Sequence, residues 1–162
     1  MKKIIYLLIP LILLIYINAC SGYKPIFGSS NISNIQFEIA NYSIKGNKKL
    51  GNKIYSQLYK AFKSNKSNPD AKTVHTTIEV LKDKNPKVKD SAGKILEYKI
   101  TIKTNIVLKD FLTNEEILNY NTSLSSSYKI KDKYSETKKI ENKTIENLVN
   151  KTYQDLIIKM LE

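Results

Sequence analysis

Few residues in this 162-residue sequence are of the types that perform catalysis or bind metals. His75 is the single histidine and Cys20 the single cysteine, so the sequence offers no set of metal ligands at the usual spacing. No serine stands in a Gly-x-Ser-x-Gly context, and no glycine-rich phosphate loop is present. The only adjacent carboxylates, Glu115 and Glu116, fall in a predicted turn. We therefore predict that the protein is not an enzyme and has neither a catalytic nor a metal site, and that His75 is an exposed strand residue.

The residues before Cys20 predict export from the cytoplasm. Lys2 and Lys3 precede an apolar run from Ile4 to Ile17, and the small residue Ala19 stands directly before Cys20. This is the pattern of a cleavable secretory signal. The run has 14 residues and contains a proline, whereas a membrane-spanning helix needs roughly 20 residues. The sequence thus favours a signal peptide at residues 1–19 over a transmembrane anchor.

The stretch ending in Cys20 also resembles a bacterial lipobox, in which the signal is cut before a cysteine that then carries a covalent lipid. On this resemblance Cys20 is the lipidated first residue of the mature chain, and no other cofactor is expected. The alternative is a secreted protein with one incidental thiol. Ser21 is not the aspartate that resembles an inner-membrane retention signal. We therefore expect the outer membrane as the location.

The chain is strongly basic, with a formal net charge of +12 and 27 basic residues that are all lysine. Such a charge attracts polyanions, although codon bias in a lysine-rich genome is an equally good explanation. Nucleic acid is not expected as a partner outside the cytoplasm, which leaves anionic lipid or lipopolysaccharide. Four lysines lie in the polar segment 83–94, and we predict them as a lipopolysaccharide-binding set: Lys84, Lys87, Lys89 and Lys94. The alternative is a solvated loop without a binding function.

Hydrophobic periodicity predicts one α+β domain at residues 34–162, preceded by a lipidated tether at 20–33. In chain order we expect a strand at 34–42, a helix at 48–63, a strand at 74–82, an exposed hairpin loop at 83–94, strands at 96–108 and 118–128, and a last helix that Ser135 caps. The last three strands should form a meander. This order predicts a two-layer sandwich, with a four-stranded, mainly antiparallel sheet and both helices on one face.

Three segments of the chain carry a resemblance to a known family. They are Cys20 followed by Gly22-Tyr23-Lys24-Pro25-Ile26-Phe27-Gly28, Leu96-Glu97-Tyr98 at the start of the long strand, and Leu156-Ile157-Ile158-Lys159 in the last helix. In these segments the chain resembles the LptE family, the small lipoprotein partner of the outer-membrane lipopolysaccharide translocon. Together they extend over nearly the whole mature chain.

The resemblance implies a sandwich of two helices and four strands that sits inside the LptD barrel, helps that barrel to assemble and contacts lipopolysaccharide. It also implies a lipid anchor in the outer membrane on the periplasmic side. A basic residue that some members use for lipopolysaccharide falls on Ser91 here, so the neighbouring Lys89 and Lys94 would have to replace it. The alternative function is a generic anion-binding or pilotin-like lipoprotein that serves another outer-membrane secretion pore.

Overall fold

The structure, a computed structural model, describes residues 37–63 and 71–161. The predicted signal peptide at 1–19, the tether at 20–33 with Cys20, and the first three residues of the first predicted strand lie outside the described residues. Within these ranges no helix combines the length and the apolar character that crossing a membrane requires.

Four strands and two helices make up the described chain. They are β1 (Phe37–Gly46), α1 (Lys48–Lys63), β2 (Lys72–Lys89), β3 (Ile95–Asp110), β4 (Glu116–Lys129) and α2 (Tyr134–Leu161). The strands form one sheet in the order β1-β2-β3-β4. β1 pairs with β2 in parallel, and the two later pairs are antiparallel. The predicted α+β class, the mainly antiparallel sheet and the meander of the last three strands are confirmed.

Both helices cover the same face of this sheet. One parity of β2 and β3 is buried, from Val74 to Val80 and from Ile100 to Leu108. α1 contributes Leu50, Ile54 and Leu58 to this core, and α2 contributes Leu148, Val149, Leu156 and Ile157. Each fully buried aliphatic side chain stabilises the fold by about 1.5–3 kcal/mol. The opposite parity carries mainly polar side chains, as the alternation predicts.

The prediction of an exposed loop at 83–94 is wrong in its secondary structure. β2 continues to Lys89 and pairs with β3 as far as Ile95, which leaves only Asp90 to Lys94 as the connection. Pro86 is tolerated within β2 because β1 ends at Gly46, opposite Val80. From residue 81 onward one edge of β2 is therefore free, and a proline on a free edge interrupts no hydrogen bond of the ladder.

Two element boundaries also differ from the prediction. β1 runs on to Gly46 instead of ending near residue 42. α2 begins at Tyr134, so Ser135 lies inside its first turn and is not the capping residue. The chain before the helix is held by Thr137, whose hydroxyl accepts a 2.8 Å hydrogen bond from the Lys131 amide. A side chain near the start of α2 therefore fixes the conformation of the segment that leads into the helix.

α1 and α2 run in the same direction. The Gln57 side chain of α1 donates a 2.7 Å hydrogen bond to Asn150 of α2, and the beginning of α1 lines one cavity together with residues 138–146 of α2. This follows from the topology, because α1 joins two parallel strands and α2 returns along β4, which runs parallel to β2. The molecule thus has a hairpin end, where β2 meets β3 and α2 begins, and a turn end, where β3 meets β4. Helix α1 begins beside Val80, about halfway along β2.

Candidate functional site

The four lysines predicted to bind lipopolysaccharide do not share one loop. Lys84 and Lys87 lie within β2, Lys89 is the last residue of that strand, and Lys94 ends the short hairpin connection. The connection is well ordered, because the Asp90 carboxylate accepts hydrogen bonds from the backbone amides of Ala92 and Lys94 at 3.0 and 2.8 Å. Lys89 and Lys94 are exposed, and no described carboxylate lies within ion-pair distance of either.

Lys84 points toward the helices and joins the two layers. Its Nζ lies 3.0 Å from Oε2 of Glu141 in α2, 4.3 Å from the centre of the Tyr98 ring and 5.5 Å from the centre of the Tyr128 ring. Partial burial lowers the pKa of Lys84, but the neighbouring Tyr128 hydroxyl and the Glu141 carboxylate outweigh this, and the net pKa is raised. Lys84 therefore carries a fixed positive charge at neutral pH.

Glu141 is the buried acid of this cluster, with only 6% of its surface exposed. Lys138, one turn earlier in α2, contributes a second contact at 3.5 Å. Burial by itself raises the pKa of Glu141, yet the hydrogen bond from Lys84 and the charges of Lys84 and Lys138 prevail and lower it. A carboxylate held ionised in this way is a poor proton donor at neutral pH, so the cluster is suited to binding charge and to holding α2 on the sheet.

Lys87 lies on the same strand as Lys84, but it forms an ion pair with the neighbouring strand and not with a helix. Its Nζ lies 2.7 Å from Oε1 of Glu97 on the neighbouring strand, and half of its side chain is exposed. The hydrogen bond from Lys87 lowers the pKa of Glu97. This contact joins two strands that the backbone ladder already connects.

A cavity of about 450 Å³ opens between the first turns of α1, the first half of α2 and the middle of β2. Its charged lining consists of Lys49, Lys53, Lys82 and Lys138 with Glu141 and Glu146. Within the described ranges, no acid lies within ion-pair distance of the first three lysines. Helix α1 and strand β2 thus bring three unpaired positive charges to one concave surface.

A second cavity, of about 410 Å³, lies on the other side of the Lys138–Glu141 pair. It is lined by Lys84, Tyr98, Lys131 and Tyr134, among others, and Tyr134 is 80% exposed. The two cavities make a basic surface with aromatic side chains that extends from the hairpin end to the middle of β2, suited to an anionic ligand that also has apolar or ring-shaped parts. Sequence analysis did not identify the first cavity, because its lysines are far apart in the sequence.

His75 lies on the sheet face that the helices do not cover, but it is half-buried and not exposed as predicted, because Asn41 and Thr77 contact its ring. Its Nδ1 contacts the side-chain oxygen of Asn41 on β1, and its Nε2 lies 3.4 Å from the Thr77 hydroxyl. In the part of the chain that the structure describes, no three or more His, Cys, Asp or Glu side chains come together as a metal site would require. The surroundings of His75 are those of a strand residue in a polar row.

Comparison with known proteins shows a similarity of fold to solved structures and no similarity of sequence to a known family. No protein-family profile and no curated protein sequence matches it. A lipoprotein B from Nitrosomonas europaea has a TM-score of 0.55 at 14% identity, over 84% of this chain and 88% of that chain. A minor lipoprotein from Acinetobacter baumannii has a TM-score of 0.51 at 9% identity, over 77% and 91%. The rare lipoprotein B from Shewanella oneidensis has a TM-score of 0.50 at 9% identity, over 74% and 91%. The chain therefore has the same α+β fold as these bacterial lipoproteins.

Proposed function

We propose that this protein is an outer-membrane lipoprotein of the LptE type, which assembles with an LptD-type barrel and assists lipopolysaccharide transport. The observation that carries the proposal is the fold, since the LptE resemblance predicts two helices on one face of a four-stranded sheet and bacterial lipoproteins share this arrangement with the chain. The sequence that begins at Cys20 supports it independently.

Copurification through a tag at the C-terminus tests the partner. We expect an LptD-type barrel to be recovered from solubilised outer membranes. Recovery of a different secretion pore would instead support the pilotin-like alternative. A control tag on an unrelated outer-membrane lipoprotein removes proteins that bind the resin or the detergent micelle.

For the lipopolysaccharide contact, we propose the two cavities at the hairpin end in addition to the exposed lysines of the hairpin itself. Lysine contacts phosphate as a point charge, and one exposed contact contributes on the order of a few tenths to 1 kcal/mol. Several unpaired lysines on one concave surface act together on a multiply charged ligand. Lys49, Lys53 and Lys82 are unpaired and line the larger cavity, whereas Lys84 already forms an ion pair with Glu141.

Two triple variants separate the cavity from the hairpin. The first replaces Lys49, Lys53 and Lys82 by glutamine, and the second replaces Lys87, Lys89 and Lys94 by glutamine, so that each removes three charges. Lipopolysaccharide binding is measured for both over a salt series. We expect the cavity variant to bind more weakly and with a shallower salt dependence than the hairpin variant. Equal loss in both variants would mean that only the overall charge matters.

Anchoring through Cys20 has its own test. Cys20→Ser with the signal retained should block acylation and release the protein from the membrane, because a covalent lipid supplies the attachment. The measurement is fractionation of cells that lack the barrel partner, since the partner could retain the domain by itself. Membrane retention of this variant equal to that of the parent would refute the lipobox interpretation.

The enzyme alternative depends on His75, the one imidazole available for catalysis. His75→Ala should leave outer-membrane integrity unchanged in cells that depend on this protein. Loss of function with a normally folded variant would contradict a purely binding and assembly protein.

A further inference from the structure

Strand β2 has an open edge over its second half. β1 pairs with β2 only as far as Val80, whose carbonyl accepts a 2.7 Å hydrogen bond from the Asn47 amide just before α1 begins. β2 continues to Lys89, paired with β3 on its other side. Residues 81–89 are all exposed, and no strand within the described ranges pairs with this edge. The backbone groups of an open edge are a template for a further strand.

Two hydrogen bonds identify the residues that direct their backbone groups to this edge. The Val80 carbonyl is bonded from the β1 side, whereas the Thr73 carbonyl accepts a 3.0 Å hydrogen bond from the amide that follows β3. Backbone groups of successive strand residues point to opposite edges, and the pairing with β3 has no register shift over residues 74–86. Even-numbered residues of β2 therefore face the open edge. It offers the amides and carbonyls of Lys82 and Lys84 and the carbonyl of Pro86.

The side chains along this edge determine which kind of strand fits it. Lys82 lines the larger cavity together with Lys49 and Lys53. A strand added to the edge would direct every second side chain toward that cavity, where acidic groups meet three unpaired lysines. On the other face of the sheet, Leu81 is 49% exposed and Asp83 follows two residues later. This face favours an apolar or neutral side chain, so the matching sequence alternates acidic with uncharged residues.

A second copy of the chain does not match this edge. Antiparallel pairing of two such edges would bring Lys82 and Lys84 of one copy close to the same lysines of the other, and like charges on paired strands are destabilising. Lysine and proline on an open edge commonly prevent this kind of self-association. The same lysines attract an acidic strand, so the edge distinguishes its partners by charge.

We propose that the edge of β2 from Lys82 to Pro86 binds an extended acidic segment of a partner protein, which joins the sheet as an additional strand. Main-chain hydrogen bonds supply the attachment, and the lysines select the sequence. This interaction goes beyond the proposed function and needs no lipid anchor. Because the larger cavity is also the proposed contact for lipopolysaccharide, the segment and lipopolysaccharide would occupy it in turn.

Hydrogen exchange resolved by residue tests the pairing, measured by NMR on the full chain in nonionic detergent. The probe is a short synthetic peptide that alternates glutamate with valine, and the control peptide has proline in place of valine. Without peptide, the amides of Lys82 and Lys84 should exchange fast and those of Asp83 and Asn85 slowly, because the latter face β3. With the probe at about ten times its Kd, exchange at Lys82 and Lys84 should slow about tenfold, since only the unbound fraction exchanges. The control peptide should leave these rates unchanged.

Two variants at one position separate backbone pairing from charge. Lys82→Gln and Lys82→Pro remove the same positive charge, and only the second also removes the amide that faces the edge. Proline is already accommodated at Pro86, which faces the same edge. Lys82→Pro should bind the probe about 3–10-fold more weakly than Lys82→Gln, the effect of one hydrogen bond. Circular dichroism checks the fold of both, and if Lys82→Pro does not fold, the exchange rates of the natural chain decide.

Equal affinity of the two variants for the probe, or equal affinity of the natural chain for both peptides, would overturn the proposal, because charge alone would then explain the binding. Slow exchange at Lys82 and Lys84 without any peptide would also overturn it. In that case another part of the chain or a second copy covers the edge, and dilution distinguishes the two. None of these measurements involves the barrel or lipopolysaccharide, so the proposed function is tested separately.

Discussion

Replacing Lys84 by methionine should destabilise the protein substantially, because this side chain holds α2 on the sheet. Methionine keeps the apolar stem and removes the ammonium group. Glu141, whose side chain is only 8% exposed, then loses its contact at 3.0 Å and keeps only Lys138 at 3.5 Å.

The loss can be estimated from the contacts. A hydrogen bond to a charged group contributes about 1.5–3 kcal/mol, and we take the lower value because Lys84 is one-third exposed and Lys138 remains. The ammonium group over the Tyr98 ring adds about 0.5 kcal/mol. The free energy of unfolding should therefore fall by about 2 kcal/mol, and the melting temperature by about 4–8 °C for a chain of this size.

Urea unfolding at pH 7, followed by circular dichroism, measures this change, with Lys87→Met as the matched control. The Lys87 ion pair is shorter, at 2.7 Å, but Glu97 retains the Ser127 hydroxyl and the Lys129 charge. The control should therefore shift the midpoint only slightly. A Lys84→Met midpoint equal to that of the parent, or an equal loss in Lys87→Met, would refute the reasoning that Lys84 joins the two layers.

Four further predictions concern acid stability, two glycines and the β3–β4 turn. Because the folded pKa of Glu141 lies below its unfolded value near 4.3, the carboxylate stabilises the fold above that value. This contribution is lost as the pH falls through the folded pKa, so Glu141→Gln should flatten the stability profile of urea unfolding below about pH 4.5. Gly46→Ala should cost more than about 2 kcal/mol in the same assay, because φ is 71° and the new methyl group would meet the Val80 carbonyl. Gly51→Ala should cost about 1 kcal/mol, since it meets only the Ile44 side chain and gains helix propensity. Asp110→Ala should speed hydrogen exchange at the amides of Leu112 and Thr113, because both amides donate hydrogen bonds to the Asp110 carboxylate at 2.9 Å. Unchanged exchange would show that these two hydrogen bonds do not hold the β3–β4 turn.

The sequence was sufficient for the elements whose apolar residues repeat with a clear period. Helix α1 was predicted with its observed bounds, and the long strand with Ile100, Ile102 and Ile106 was predicted within two residues at each end. The far half of β2 was missed because lysines replace apolar residues there. Lys82 and Lys84 occupy the helix-facing parity, where Lys84 is accommodated by the ion pair with Glu141. A pattern of hydrophobic residues does not reveal a helix-facing strand position that a charged residue in an ion pair occupies.

The candidate site was predicted only in part, for a related reason. The four lysines selected from the sequence were chosen because they are close together in the chain, yet the structure gives two of them partners in Glu141 and Glu97. The larger cavity draws its lysines from α1, β2 and α2. Bringing these elements together requires the parallel pairing of β1 with β2, and no local pattern in the sequence specifies the register of that pairing.

The common direction of α1 and α2 also has an electrostatic consequence for the cavity between them. Each helix carries a dipole equivalent to about half a positive elementary charge at its first turn. In an antiparallel pair these partial charges would lie at opposite ends of the molecule, whereas here the first turn of α1 lines the larger cavity and the first turn of α2, with Tyr134 and Thr137, lines the neighbouring one. The partial charges belong to the backbone, so they neither titrate nor change when side chains are replaced. Anion attraction at the hairpin end should therefore weaken, but not vanish, when Lys49, Lys53 and Lys82 are neutralised.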